Sequence, residues 1–190
     1  MSKAEILKNI KKNKPQLVEL PEIPDFSTEK GDYTKLFSES LTKAGGELIK
    51  ADDIDLQELI QEKYSGAQNI VSVYKGYDSS QNISDYSDPH QLQNIDLAVI
   101  KGDFGVAENG AIWVEENSLT HRVLPFITEN LIIILDKDKL VENMHQAYKK
   151  IEGNKTGLGI FISGPSKTAD IEQSLVIGAH GAKSLYVFIR

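Results

Sequence analysis

The sequence contains no cysteine in its 190 residues. This excludes disulfides, a thiol nucleophile, and cysteine-ligated zinc or iron–sulfur clusters held by this chain. Basic residues are also in deficit, with 21 against 28 acids and a net charge of −7. A nucleic-acid surface needs a basic face, so no nucleic-acid partner is expected. The local exception is Lys3, Lys8, Lys11, Lys12 and Lys14 around the single acid Glu5, a charge run of the kind that usually solvates a helix face. No apolar run approaches the ~20 residues of a membrane span. No N-terminal apolar stretch with a small-residue cleavage site follows the basic start. The expectation is therefore a soluble, cytoplasmic protein without a membrane span. The four histidines are scattered without ligand spacing, so no metal site is expected. Neither a Gly-x-Gly-x-x-Gly fingerprint nor a Walker loop is present, and no cofactor is expected in this chain.

What is there reads as one globular domain with an appendage. Ile6, Leu7 and Ile10 mark a short amphipathic helix over residues 3–13. Pro15, Pro21, Pro24 and Gly31 then make an extended linker. Residues 1–30 thus form a helical arm and linker docked on the body, and residues 31–190 an α/β domain. Tyr33, Leu36, Phe37, Leu41 and Ala44 predict a helix stopped by Gly45 and Gly46. Asp52 or Asp53 would cap the next helix, with Leu56, Leu59, Ile60 and Tyr64 on its apolar face. Ile70, Val71 and Val73 suggest a short strand, and residues 75–94 a polar loop that is either a functional lid or disordered surface.

The second half is rich in strands. Leu97, Val99 and Ile100 predict one. Glu108-Asn109-Gly110 predicts a hairpin turn between two more. Leu131–Leu135 is an unbroken apolar run, as in a strand buried on both faces. Asp136 or Asp138 would open a helix running to Ile151. A strand over 158–162, a turn at Ser163-Gly164-Pro165-Ser166, a helix from Thr168 to about Ile177, and a last strand over 184–189 complete the pattern. The fold class is α/β, with a mixed, mostly parallel sheet and helices on both faces.

Two segments could carry chemistry. Ser163 to Glu172 leaves a strand and would enter a helix, where free amides and the positive dipole end suit an anion. Ser163, Ser166 and Thr168 add hydroxyls, Gly164 a tight turn and Lys167 a charge. The bland alternative is a glycine–proline turn with a hydroxyl cap, Asp170 complementing the dipole. Glu108, at a strand end before a tight turn, could serve as nucleophile or general base, or be an incidental acid of an exposed hairpin. Arg122 could grip a planar anion or form a surface ion pair. His180 could be an acid/base or a helix C-terminal partner.

The run Phe161-Ile-Ser-Gly-Pro-Ser-Lys-Thr-Ala-Asp-Ile-Glu172 with Gly178-Ala-His-Gly181 resembles the C-terminal signature of the lactate-utilisation (LUD) domain family. Gly105-Val-Ala-Glu-Asn-Gly-Ala-Ile-Trp-Val114 resembles that family's middle motif, and Arg122 with Leu124-Pro125 its following arginine and proline. Two positions depart: Asn109 replaces the usual threonine, and Ala182 the usual proline after His-Gly. The resemblance implies a fold like that of ribose-5-phosphate isomerases, coenzyme A transferases and formyltetrahydrofolate cyclo-ligases. It implies an accessory role beside two iron–sulfur proteins in oxidising L-lactate to pyruvate. It also implies a small anionic ligand or a partner at Ser163–Glu172, with Asp170, Glu172 and His180 in the site. Two alternatives stay open: a coenzyme A transferase-like enzyme using Glu108, and a binder of a phosphorylated ligand.

Overall fold

The computed structural model describes every residue except 1, 23, 25, 27–30, 154–156, 170–174 and 179. Five strands, β1 (Glu47–Lys50), β2 (Ile70–Ser72), β3 (Leu97–Lys101), β6 (Asn130–Leu135) and β11 (Ser184–Ile189), form a sheet of order β1-β11-β6-β3-β2. Every pairing in it is parallel. The apolar run of β6 follows from burial on both faces. Leu131, Ile133 and Leu135 enter one core, while Ile132 and Ile134 enter the other. Burying each of these side chains contributes ~1.5–3 kcal/mol.

One face of this sheet is covered by α3 (Leu56–Lys63), through Leu56, Leu59 and Ile60. The other face meets α2 (Tyr33–Lys43), through Phe37 and Leu41, the short α4 (Leu124–Ile127), through Leu124, and a second sheet. That sheet has the order β7-β4-β5-β8, from β4 (Phe104–Val106), β5 (Ala111–Glu115), β7 (Leu140–Val141) and β8 (Gly159–Ile162). Its outer side is closed by α5 (Met144–Ile151), where Ala147 meets Phe104, Val106 and Ala111.

The α/β architecture, the mostly parallel main sheet and the helices on both of its faces agree with the sequence reading. The strands flanking Glu108-Asn109-Gly110 pair as predicted, but they build the second sheet instead of making the main sheet mixed. Four local readings are corrected. Asp55, not Asp52 or Asp53, caps α3 by accepting the Gln57 N–H at 2.8 Å. Helix α5 begins at Met144 under an Asn143 cap, because Leu140 and Val141 are drawn into pairing with Gly105 and Val106 of β4. The segment 75–94 is anchored, with two 3-10 turns and buried Ile83 and Leu92.

The largest correction concerns residues 168–177. Instead of a helix, β9 (Lys167–Ala169) and β10 (Leu175–Ile177) form an antiparallel ribbon, with Thr168 opposite Val176. Residues 170–174 lie outside the described set. Among the described residues no helix N-terminus follows the Ser163–Ser166 turn, which leads into β9, so the dipole argument for an anion there falls away.

In the N-terminal arm, α1 (Lys3–Lys12) is held by a capping box between Ser2 and Glu5 and buries none of its residues. Phe26 stacks on the His145 ring of α5 at 4.7 Å between centroids.

Candidate functional site

Three segments meet at the amino-terminal edge of the parallel sheet: the Glu108-Asn109-Gly110 turn, the Ser163–Lys167 elbow and the C-terminal end of α2. The Ser163 hydroxyl donates to the Asn109 carbonyl at 2.8 Å. The Ser40 hydroxyl donates to the Glu108 carbonyl at 3.1 Å. The Lys167 ammonium donates to the Ala44 carbonyl. The Ser166 N–H donates to the Ala182 carbonyl at 2.8 Å, just before β11. The Asn109 side-chain oxygen accepts the Ala111 N–H at 3.0 Å and closes the turn itself.

Glycine permits this close approach. Gly110 has φ +67°, and a Cβ there would stand 2.5 Å from the Leu41 nitrogen. Gly164 has φ +74°, and a Cβ there would stand 2.8 Å from the Ala44 carbonyl carbon. Both glycines are therefore fixed by backbone sterics against α2. Ser40 went unread in the sequence, and Ala44 was read only as part of the predicted helix. The only signal available was the Gly45-Gly46 stop that follows them.

The Glu108 carboxylate accepts the Met144 N–H at 2.9 Å, at the first turn of α5, where a negative charge complements the helix. Beside it lies Glu142, buried at 5% exposure, which accepts from Tyr33 and from the Gln146 amide at 3.2 Å. Burial first, then the neighbouring Glu142 charge, pushes the Tyr33 phenol up. This buried network also went unread in the sequence.

Arg122 does not meet Glu108 or the elbow. Arg122 pairs with Glu116, which also accepts the Gly157 N–H at 2.7 Å. Glu116 follows β5 at the end remote from the hairpin turn, where Glu115 lies opposite Gly159 of β8. Five residues of strand at ~3.4 Å each separate Arg122 from the Glu108 turn by roughly 17 Å. His180 is exposed in the loop before β11. Thr168 lies in β9. Asp170 and Glu172 fall outside the described residues. Among the described residues, no group of three or more His, Asp or Glu is placed to hold a metal ion, and no helix is long and apolar enough to cross a membrane.

The opposite, carboxyl-terminal edge of the parallel sheet carries the concentrated charge. Asp136, after β6, accepts the Arg190 Nε–H at 2.8 Å, with Lys139 at 3.3 Å and Lys101 at 3.6 Å. Burial pushes the Asp136 carboxyl up. The hydrogen bonds from Arg190 and Lys139, and the charges of Arg190 and Lys101, outweigh that and hold it below the usual carboxylate value. Arg190 also donates to the Tyr74 hydroxyl at 2.8 Å. Asp103 accepts the Glu115 N–H at 2.9 Å, and burial above all pushes its carboxyl up.

These features describe an α/β domain in which a parallel sheet carries a smaller mixed sheet on one face. A crystal structure of a DUF162 family protein from Deinococcus radiodurans has this fold. It matches with a TM-score of 0.62 over 83% of this chain and 95% of that one, at 13% identity. A LUD domain family model matches residues 81–189, more than half of the sequence, and the chain belongs to that family. It is 33% identical over 125 residues to the lactate utilization protein C of Shouchella clausii, covering 63% of this chain and 52% of the relative. With the protein of the same name from Geobacillus kaustophilus it shares 29% over 157 residues, covering 76% and 63%. The matched region thus spans between about half and two thirds of these relatives.

Proposed function

We infer that this chain is an accessory component of L-lactate utilisation in the cytoplasm, acting beside iron–sulfur proteins that oxidise lactate to pyruvate and holding no cluster of its own. The observation that carries this reading is the similarity to relatives named lactate utilization protein C, together with the LUD domain match over residues 81–189. The absence of cysteine agrees with a component that leaves electron transfer to its partners. The geometry favours this accessory role over acyl transfer, because the Glu108 carboxylate is engaged at the start of α5.

The elbow at 163–167 is better read as a brace than as an anion cradle. Its Ser163 hydroxyl, Ser166 N–H and Lys167 ammonium are already directed at carbonyls of this chain. Deletion of the gene in its own organism tests the functional reading. Growth on L-lactate as the carbon source should be lost and restored by the intact gene. Unchanged growth of the deletion strain would overturn it.

A further inference from the structure

A cavity of about 460 Å³ opens at the carboxyl-terminal edge of the parallel sheet, between the chain leaving β2 and the segment after β5. This is within the range of small-molecule sites. It also lies where open α/β sheets place their ligands, outside the carboxyl ends of the strands. Tyr74 and Lys75 form the wall on the β2 side, Lys101 lines the cavity from the end of β3, and Asn117 and Thr120 line it from the segment after β5.

The charge here runs against the net charge of the protein. Lys101, Lys139 and Arg190 share the single carboxylate of Asp136. Lys75 makes no ion pair among the described residues. On the far side, the Asp103 carboxylate accepts the Glu115 N–H and the Ser118 hydroxyl, and Asp78 lies on the loop beside Lys75. Around the cavity Lys75, Lys101, Lys139 and Arg190 outnumber Asp78, Asp103 and Asp136, beside hydroxyl and amide donors. Arg190 fixes Tyr74 through its hydroxyl and lies 5.5 Å from the ring centroid, so that wall is preorganised.

We propose that this cavity binds a small organic oxyanion, a carboxylate or a phosphate ester, with its charged head between the Lys75 and Lys101 ammonium groups and its body against Tyr74. The shared chemistry is an oxyanion met by two point charges and neutral donors. The volume leaves room for an organic body beside the head. The site is formed by residues outside the Ser163–Lys167 elbow and does not depend on the lactate reading.

The test is an amide NMR titration of the full chain with pyruvate in one arm and ribose 5-phosphate in the other. Saturable shifts at residues 73–75, 101 and 117–120 are expected in at least one arm, and the arm that saturates identifies the head group. Lys75→Ala alters an exposed loop side chain, so it should fold normally and weaken binding about tenfold, as loss of a charged hydrogen bond does. Lys101→Ala should weaken it similarly, and Lys149→Ala on α5 should not. Absence of saturable shifts in both arms would overturn the proposal. So would binding that Lys75→Ala and Lys101→Ala leave intact.

Discussion

Replacing Gly164 with alanine tests whether the elbow is a brace against α2. The position has φ +74°. A side chain in that left-handed region costs about 1–2 kcal/mol. The new Cβ would also meet the Ala44 carbonyl group, which belongs to the backbone and cannot swing aside. Forcing atoms into a closed contact of this kind adds about 1–3 kcal/mol. Gly153→Ala supplies the control, because Gly153 has φ +76° but nothing within 4 Å of its Cβ position. The two variants share the conformational term, so their difference isolates the contact with α2. Urea unfolding followed by the Trp113 fluorescence should place Gly164→Ala below Gly153→Ala by about 1–3 kcal/mol. Equal midpoints would refute the reasoning. The elbow would then be loosely seated, and room for an anion at Ser163–Lys167 would return.

Two further outcomes follow from the same geometry. Glu108→Ala removes the carboxylate from the first turn of α5 and should lower stability by about 0.3–1 kcal/mol in urea unfolding. In keeping with that role, mass spectrometry after incubation of the wild type with acetyl-coenzyme A should show no adduct on Glu108. Asp136→Asn should destabilise the protein at neutral pH, because the folded state holds this carboxyl below its unfolded pKa. The stabilisation is fully present above the unfolded value of about 4 and disappears as pH falls through the lower folded value. Thermal midpoints of the variant and the wild type should therefore converge in acid, and a gap independent of pH would count against the ion cluster.

The sequence alone determined the α/β class, because buried parallel strands need uninterrupted apolar runs such as Leu131–Leu135. It determined the Glu108-Asn109-Gly110 hairpin, because Asn-Gly tolerates the backbone that a tight turn imposes. Through the absence of cysteine it also determined that this chain ligates no cluster by thiolates. Tertiary structure decided the rest, by pairing partners distant in sequence. Leu140 and Val141 carry helical spacing, yet β4 captured them as a strand. Lys167–Ala169 follows a turn that looks like a helix start, yet it pairs with Leu175–Ile177. Arg122 and Glu108 are near in sequence, but β5 runs between them and sends them to opposite ends of one sheet. The rim of Tyr74, Lys75, Lys101, Asp136, Lys139 and Arg190 has no local signature, because each of its strands and loops contributes one or two side chains. Only the parallel register of β2, β3, β6 and β11 brings their carboxyl ends to a common edge. Periodicity records which face of an element is buried. It holds no information on which strand lies alongside, and that choice of neighbours is what created the charged rim.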